Sequence, residues 1–82
     1  EIRKDCPDEK KFKVVSKVAA FFKESYPTID LDGVRVEFEG GWGLVRASNT
    51  QPVIVRRYEA ISKKRLEEIE KLVEEKISEF SR

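Results

Sequence analysis

The segment Arg46-Ala47-Ser48-Asn49-Thr50-Gln51-Pro52 concentrates the chemistry of this 82-residue chain. It lies between two apolar runs, Gly43-Leu44-Val45 and Val53-Ile54-Val55, and so reads as a polar loop joining two β-strands. Positions 46 to 50 hold a guanidinium, two hydroxyls, an amide and free backbone N–H groups, and no acid. Such donors suit a phosphate oxyanion. Arg meets phosphate with two parallel hydrogen bonds, and hydroxyl and backbone N–H groups fill the remaining acceptor sites. Asn49 tolerates the left-handed backbone that lets neighbouring N–H groups converge. On residue types alone, a solvated turn is the competing reading.

Other residues carry weaker signals. Val53, Val55, Arg57 and Glu59 share one face of a strand, so Arg57 either lines the same cleft as Arg46 or pairs with a surface carboxylate. Arg35 and Arg56 read as surface charges. Trp42 reads as packing at a strand start rather than as a sugar platform. Asp30-Leu31-Asp32-Gly33 lacks the further ligands of a calcium loop, and its aspartates read as turn residues and a strand entry. Glu67, Glu68, Glu70, Glu74 and Glu75 read as a solvated helix face. Catalysis by the chain alone is not expected. It has no His, Cys6 has no visible activating partner, and Ser48 and Ser62 lack a base.

The elements that must position the loop follow from the spacing of apolar residues. Glu1 to Cys6 reads as a short edge strand. Pro7 suits a helix's first turn, and Asp8 and Glu9 lie where the helix dipole favours acids. Phe12, Val15, Ala19, Phe22 and Tyr26 follow helical spacing up to Pro27. Thr28 to Asp32 reads as connection. Val34, Val36 and Phe38 alternate with charged residues, Gly40-Gly41 marks a tight turn, and strands follow over 42–47 and 53–60. Ser62 suits an N-cap for a second helix with Leu66, Ile69, Val73, Ile77 and Phe80 on one face. The order strand, helix, three strands, helix implies an α+β fold. Its mostly antiparallel four-stranded sheet would carry both helices on one face and leave the other open.

Length and composition set the bounds. Residues 1–82 make one domain with a small core. The formal net charge of +1 argues against nucleic-acid binding driven by net positive charge. Apolar runs of only a few residues lead us to expect neither a helical membrane span nor a signal peptide within this sequence. A lone cysteine fits a reducing, cytoplasmic setting. With no Met at its start, the chain reads as a domain from a longer protein.

The run Gly41-Trp42-Gly43-Leu44-Val45-Arg46-Ala47-Ser48-Asn49-Thr50-Gln51-Pro52 resembles the phosphate-binding loop in the C-terminal (fourth) domain of α-D-phosphohexomutases. The form Arg-Ala-Ser-Asn-Thr-x-Pro is similar to the phosphomannomutase/phosphoglucomutase branch. Asn49 and Gln51 depart from the Arg-x-Ser-Gly-Thr-Glu-Pro of the phosphoglucosamine mutase branch. Pro7-Asp8-Glu9-Lys10-Lys11-Phe12, Asp32-Gly33-Val34-Arg35-Val36 and Arg57-Tyr58-Glu59-Ala60 resemble the family's helix start, strand entry and last strand.

The resemblance implies a TATA-box-binding-protein-like fold and a full-length enzyme that interconverts hexose 1-phosphate and hexose 6-phosphate. It also implies a phosphoserine, a Mg²⁺ site and a sugar-recognition loop in three preceding domains, and mannose or glucose phosphates as substrates. Arg46, Ser48, Asn49 and Thr50 would hold the non-reacting phosphate. A stand-alone single-stranded nucleic-acid-binding module and a protein-interaction module are the alternatives.

Overall fold

The structure, a computed structural model, describes residues 2–82. The elements run β1 (Ile2–Asp5), α1 (Asp8–Lys23), β2 (Thr28–Ile29), β3 (Val34–Phe38), β4 (Gly41–Ala47), β5 (Val53–Ala60) and α2 (Lys63–Phe80). The sheet order is β1-β5-β4-β3-β2, and every neighbouring pair is antiparallel. The expected α+β architecture is present, and the edge strand forms from Ile2 onward. Glu1 lies outside the described residues. The connection after α1 adds the short strand β2 to the sheet, with Thr28 paired to Val36 and Ile29 to Arg35.

Alternation assigns the two faces. Val34, Val36, Phe38, Val45, Ala47 and Ile54 are buried together with Val14, Val15, Val18 and Phe22 of α1 and Ile69, Val73 and Ile77 of α2. Each large side chain fully buried in this way contributes about 1.5–3 kcal/mol relative to exposure. Arg35, Glu37, Trp42, Leu44 and Arg46 occupy the alternate positions and stay half-buried on the open face. One helix stripe differs from expectation. Phe12 is exposed, while Lys11, Val14 and Val18 turn inward beside Val15 and Phe22.

Capping follows the sequence at Ser62, while Pro7 lies just ahead of the first turn expected for it. Ser62 Oγ accepts from the Arg65 N–H at 3.1 Å. Pro7 stands just outside α1 with extended backbone, and its carbonyl accepts from the N–H groups of Lys10 and Lys11. Gly41 lets α2 approach the sheet closely, because a Cβ there would lie 2.6 Å from Ile69 Cδ1 and 2.4 Å from the Glu59 carbonyl oxygen.

Two charged residues depart from their expected places. Arg56 is buried, not a surface charge. Its Nε and Nη2 each donate to Glu74 at 2.9 Å, and Nη1 donates to the Ile54 carbonyl at 3.0 Å. Glu74, expected on a solvated face, also accepts from the Tyr58 hydroxyl at 2.6 Å. The reason is parity. Ile54, Arg56 and Tyr58 share the helix-facing side of β5, and a buried guanidinium must be paired and hydrogen-bonded.

Candidate functional site

β4 delivers Arg46 to the open face because its neighbours Val45 and Ala47 point into the core. Arg46 lies across from Val55, and Arg57 lies across from Leu44, so Arg46 and Arg57 are diagonal neighbours on that face. Arg57 is exposed and forms no ion pair among the described residues. Arg46 lies 3.9 Å from Asp32, whose side chain is exposed. That proximity depends on Gly33, which packs against the β4 backbone with φ +83°. Asp30 pairs instead with Lys23 at 3.3 Å, in keeping with a turn role.

Past Ala47 the chain leaves the sheet and forms a fastened loop. The Ser48 N–H donates to the Val53 carbonyl at 3.0 Å, and the Val53 N–H donates back to the Gln51 carbonyl at 2.8 Å. Ser48 itself is buried. Its Oγ accepts from the N–H groups of Thr50, at 3.3 Å, and Gln51, at 3.2 Å. Two of the backbone N–H groups expected to be free therefore fold the loop. With both Oγ lone pairs engaged, the Ser48 hydroxyl retains one function, that of donor. Asn49 and Thr50 stand exposed at the tip, and the Asn49 N–H has no hydrogen-bond partner among the described residues.

Two further contacts, invisible to motif reading, tie the loop to the start of α1. The Cys6 N–H donates to the Pro52 carbonyl at 2.5 Å, and Lys11 Nζ donates to the Gln51 carbonyl at 3.0 Å. A lysine beside a helix's inward stripe was the available signal. Trp42 is half-buried on the open face, and Arg35 stacks 4.3 Å from its ring centroid. Among the described residues, no three His, Cys, Asp or Glu gather as a metal site. No described helix is long and apolar enough to cross a membrane.

These features define an α+β domain with a donor-rich loop and an arginine pair at one end of an open sheet face. Residues 1–76 match the family model for "Phosphoglucomutase/phosphomannomutase, C-terminal domain", and the chain belongs to that family. It is 47% identical over 72 residues to "Phosphomannomutase/phosphoglucomutase" of Pseudomonas putida, covering 84% of this chain and 15% of that protein. It is also 47% identical over 66 residues to "Probable phosphoglucosamine mutase" of Methanopyrus kandleri, covering 79% of this chain and 15% of that protein. A crystal structure of a phosphoglucomutase/phosphomannomutase family protein from Burkholderia thailandensis superposes with TM-score 0.74 at 35% identity, over 85% of this chain and 16% of that one. The chain thus spans about 15% of the length of the curated relatives it matches.

Proposed function

We propose that this chain is the phosphate-holding domain of a longer phosphohexomutase. The whole enzyme would interconvert hexose 1-phosphate and hexose 6-phosphate by way of a phosphoserine and a bisphosphorylated sugar. Mannose and glucose phosphates are the substrates, and the three preceding domains are the working partners. The reaction needs one site that accepts a phosphate from either end of the sugar. A loop that reads only phosphate charge and geometry meets that need, since it ignores which carbon carries the group. Arg46, Ser48, Asn49 and Thr50 hold the non-reacting phosphate, with Arg57 beside them. The isolated domain is inactive because the phosphoserine lies elsewhere.

The observation that carries this reading is the prebuilt loop. Ser48 spends its lone pairs on the Thr50 and Gln51 N–H groups, which leaves its hydroxyl, the Asn49 N–H and the Arg46 guanidinium as donors. The Mg²⁺ ion implied by the family resemblance belongs to another domain. Among the described residues, no three His, Cys, Asp or Glu gather to hold one. A cytoplasmic setting suits buried, solitary Cys6. The nucleic-acid alternative loses support because Arg35 already occupies one face of Trp42, the plausible stacking platform.

Arg46→Ala in the full-length enzyme is expected to remove roughly 2–3 kcal/mol of transition-state stabilisation, about 30- to 200-fold in kcat/KM. A loss below about threefold removes Arg46 from the phosphate site.

A further inference from the structure

We propose that Lys11 is a positioning residue for phosphate transfer, resting on the reading of Ser48 to Gln51 as the phosphate-holding loop. Lys11 is only 4% exposed. Burying an amino group is costly unless it is hydrogen-bonded, so its burial at this point is informative. Its Nζ reaches across 40 positions of sequence to donate to the Gln51 carbonyl at 3.0 Å. That carbonyl also accepts from the Val53 N–H, while the Gln51 N–H donates to Ser48 Oγ. Gln51 is thereby gripped from both sides. Ser48 is fixed in turn, because its Oγ receives two of the loop's N–H groups. The first turn of α1 thus holds the loop in shape before any phosphate arrives. A misplacement of about 1 Å in a substrate-holding group can cost about 100-fold in rate, so the grip has a kinetic consequence. Lys11 touches the loop backbone and acts through Ser48, Asn49 and Thr50.

The test uses the full-length enzyme and Lys11→Met, which keeps the apolar stem and removes the donor. Amide exchange is read over residues 48–51 and over the core strand, residues 34–38, alongside KM and kcat for glucose 1-phosphate. The expected result is exchange at 48–51 faster by about tenfold, unchanged exchange at 34–38, a raised KM and about a tenfold loss of kcat/KM. Unchanged exchange at 48–51 overturns the proposal. So does equal loosening of residues 34–38, which marks a purely structural role. A loosened loop with unchanged kcat/KM also overturns it, and if Arg46→Ala still lowers kcat/KM, the phosphate loop stands without Lys11. An inert Arg46→Ala instead defeats the loop reading itself. Lys11→Leu, also apolar and without a donor, replaces Lys11→Met in these measurements if the latter unfolds the protein, with the same expected and overturning results.

Discussion

The Tyr58 hydroxyl donates to a carboxylate that also receives two bonds from Arg56, and this cluster couples protonation to folding. Burial, first, and then the Glu74 hydrogen bond and charge push the Tyr58 phenol well above its ordinary value of 10.0. The folded pKa exceeds the unfolded one. Above about pH 10 the unfolded chain therefore loses a proton that the folded chain keeps, and stability declines as pH rises. Tyr58→Phe is expected to start about 1 kcal/mol less stable at neutral pH, from the lost hydrogen bond, and to decline less steeply above about pH 10. Denaturant melts across that range check this, and parallel curves for the two proteins would refute it.

The same cluster marks where residue types misled. The placement of Arg46 at a strand end and of Ser48, Asn49 and Thr50 in the loop after it was legible because their neighbours fix a strand end and a turn. Arg56 and Lys11 were not, because a charged side chain looks solvated until its strand parity or helix face is weighed above its polarity.

At the scale of elements, periodicity located both helices and the three long strands, since each buries one face against the others. Two features escaped it. Thr28–Ile29 is too short to show a period and is a strand only through its pairing with β3. On α1 the sequence permits two adjacent stripes, and contact with the sheet chose the one that exposes Phe12.

The β3–β4 pairing rests on a glycine that the sequence marked only as a strand entry. A Cβ at Gly33 would lie 2.2 Å from the Val45 carbonyl oxygen and 2.8 Å from Arg46 Cα. Gly40 shares the left-handed backbone, but a Cβ there would meet side-chain atoms of Ile61 and Arg65 at 3.3–3.4 Å, which can yield. Both Ala variants incur the conformational cost of about 1–2 kcal/mol. Only Gly33→Ala must also shift β4 at Arg46, so it should lower Tm by roughly 10 °C and clearly more than Gly40→Ala. Thermal melts decide this, and equal losses would show that the backbone overlap is unimportant.

At the scale of the whole molecule, and under the proposed function, the fastening of the loop constrains how the full-length protein can move. Ser48, Gln51 and Pro52 are tied to β5, to α1 and to the β1–α1 junction by the hydrogen bonds of Val53, Lys11 and Cys6. A loop held in this way cannot close over a substrate by itself. The chain spans about 15% of its relatives' length, so under the proposed function most contacts to the sugar come from other domains. Holding a phosphate during transfer and freeing it for reorientation then requires the whole domain to move as a body. Small domains at cleft edges close in this manner to exclude water and complete a site. The full-length enzyme is therefore expected to become more compact when glucose 1-phosphate binds, and Arg46→Ala is expected to weaken that compaction by removing the phosphate's main charged partner. Small-angle scattering with and without substrate measures both effects. Superimposable profiles for the wild type at saturating substrate would mean that the domain does not close, and that the bound sugar reorients within a cleft of fixed shape.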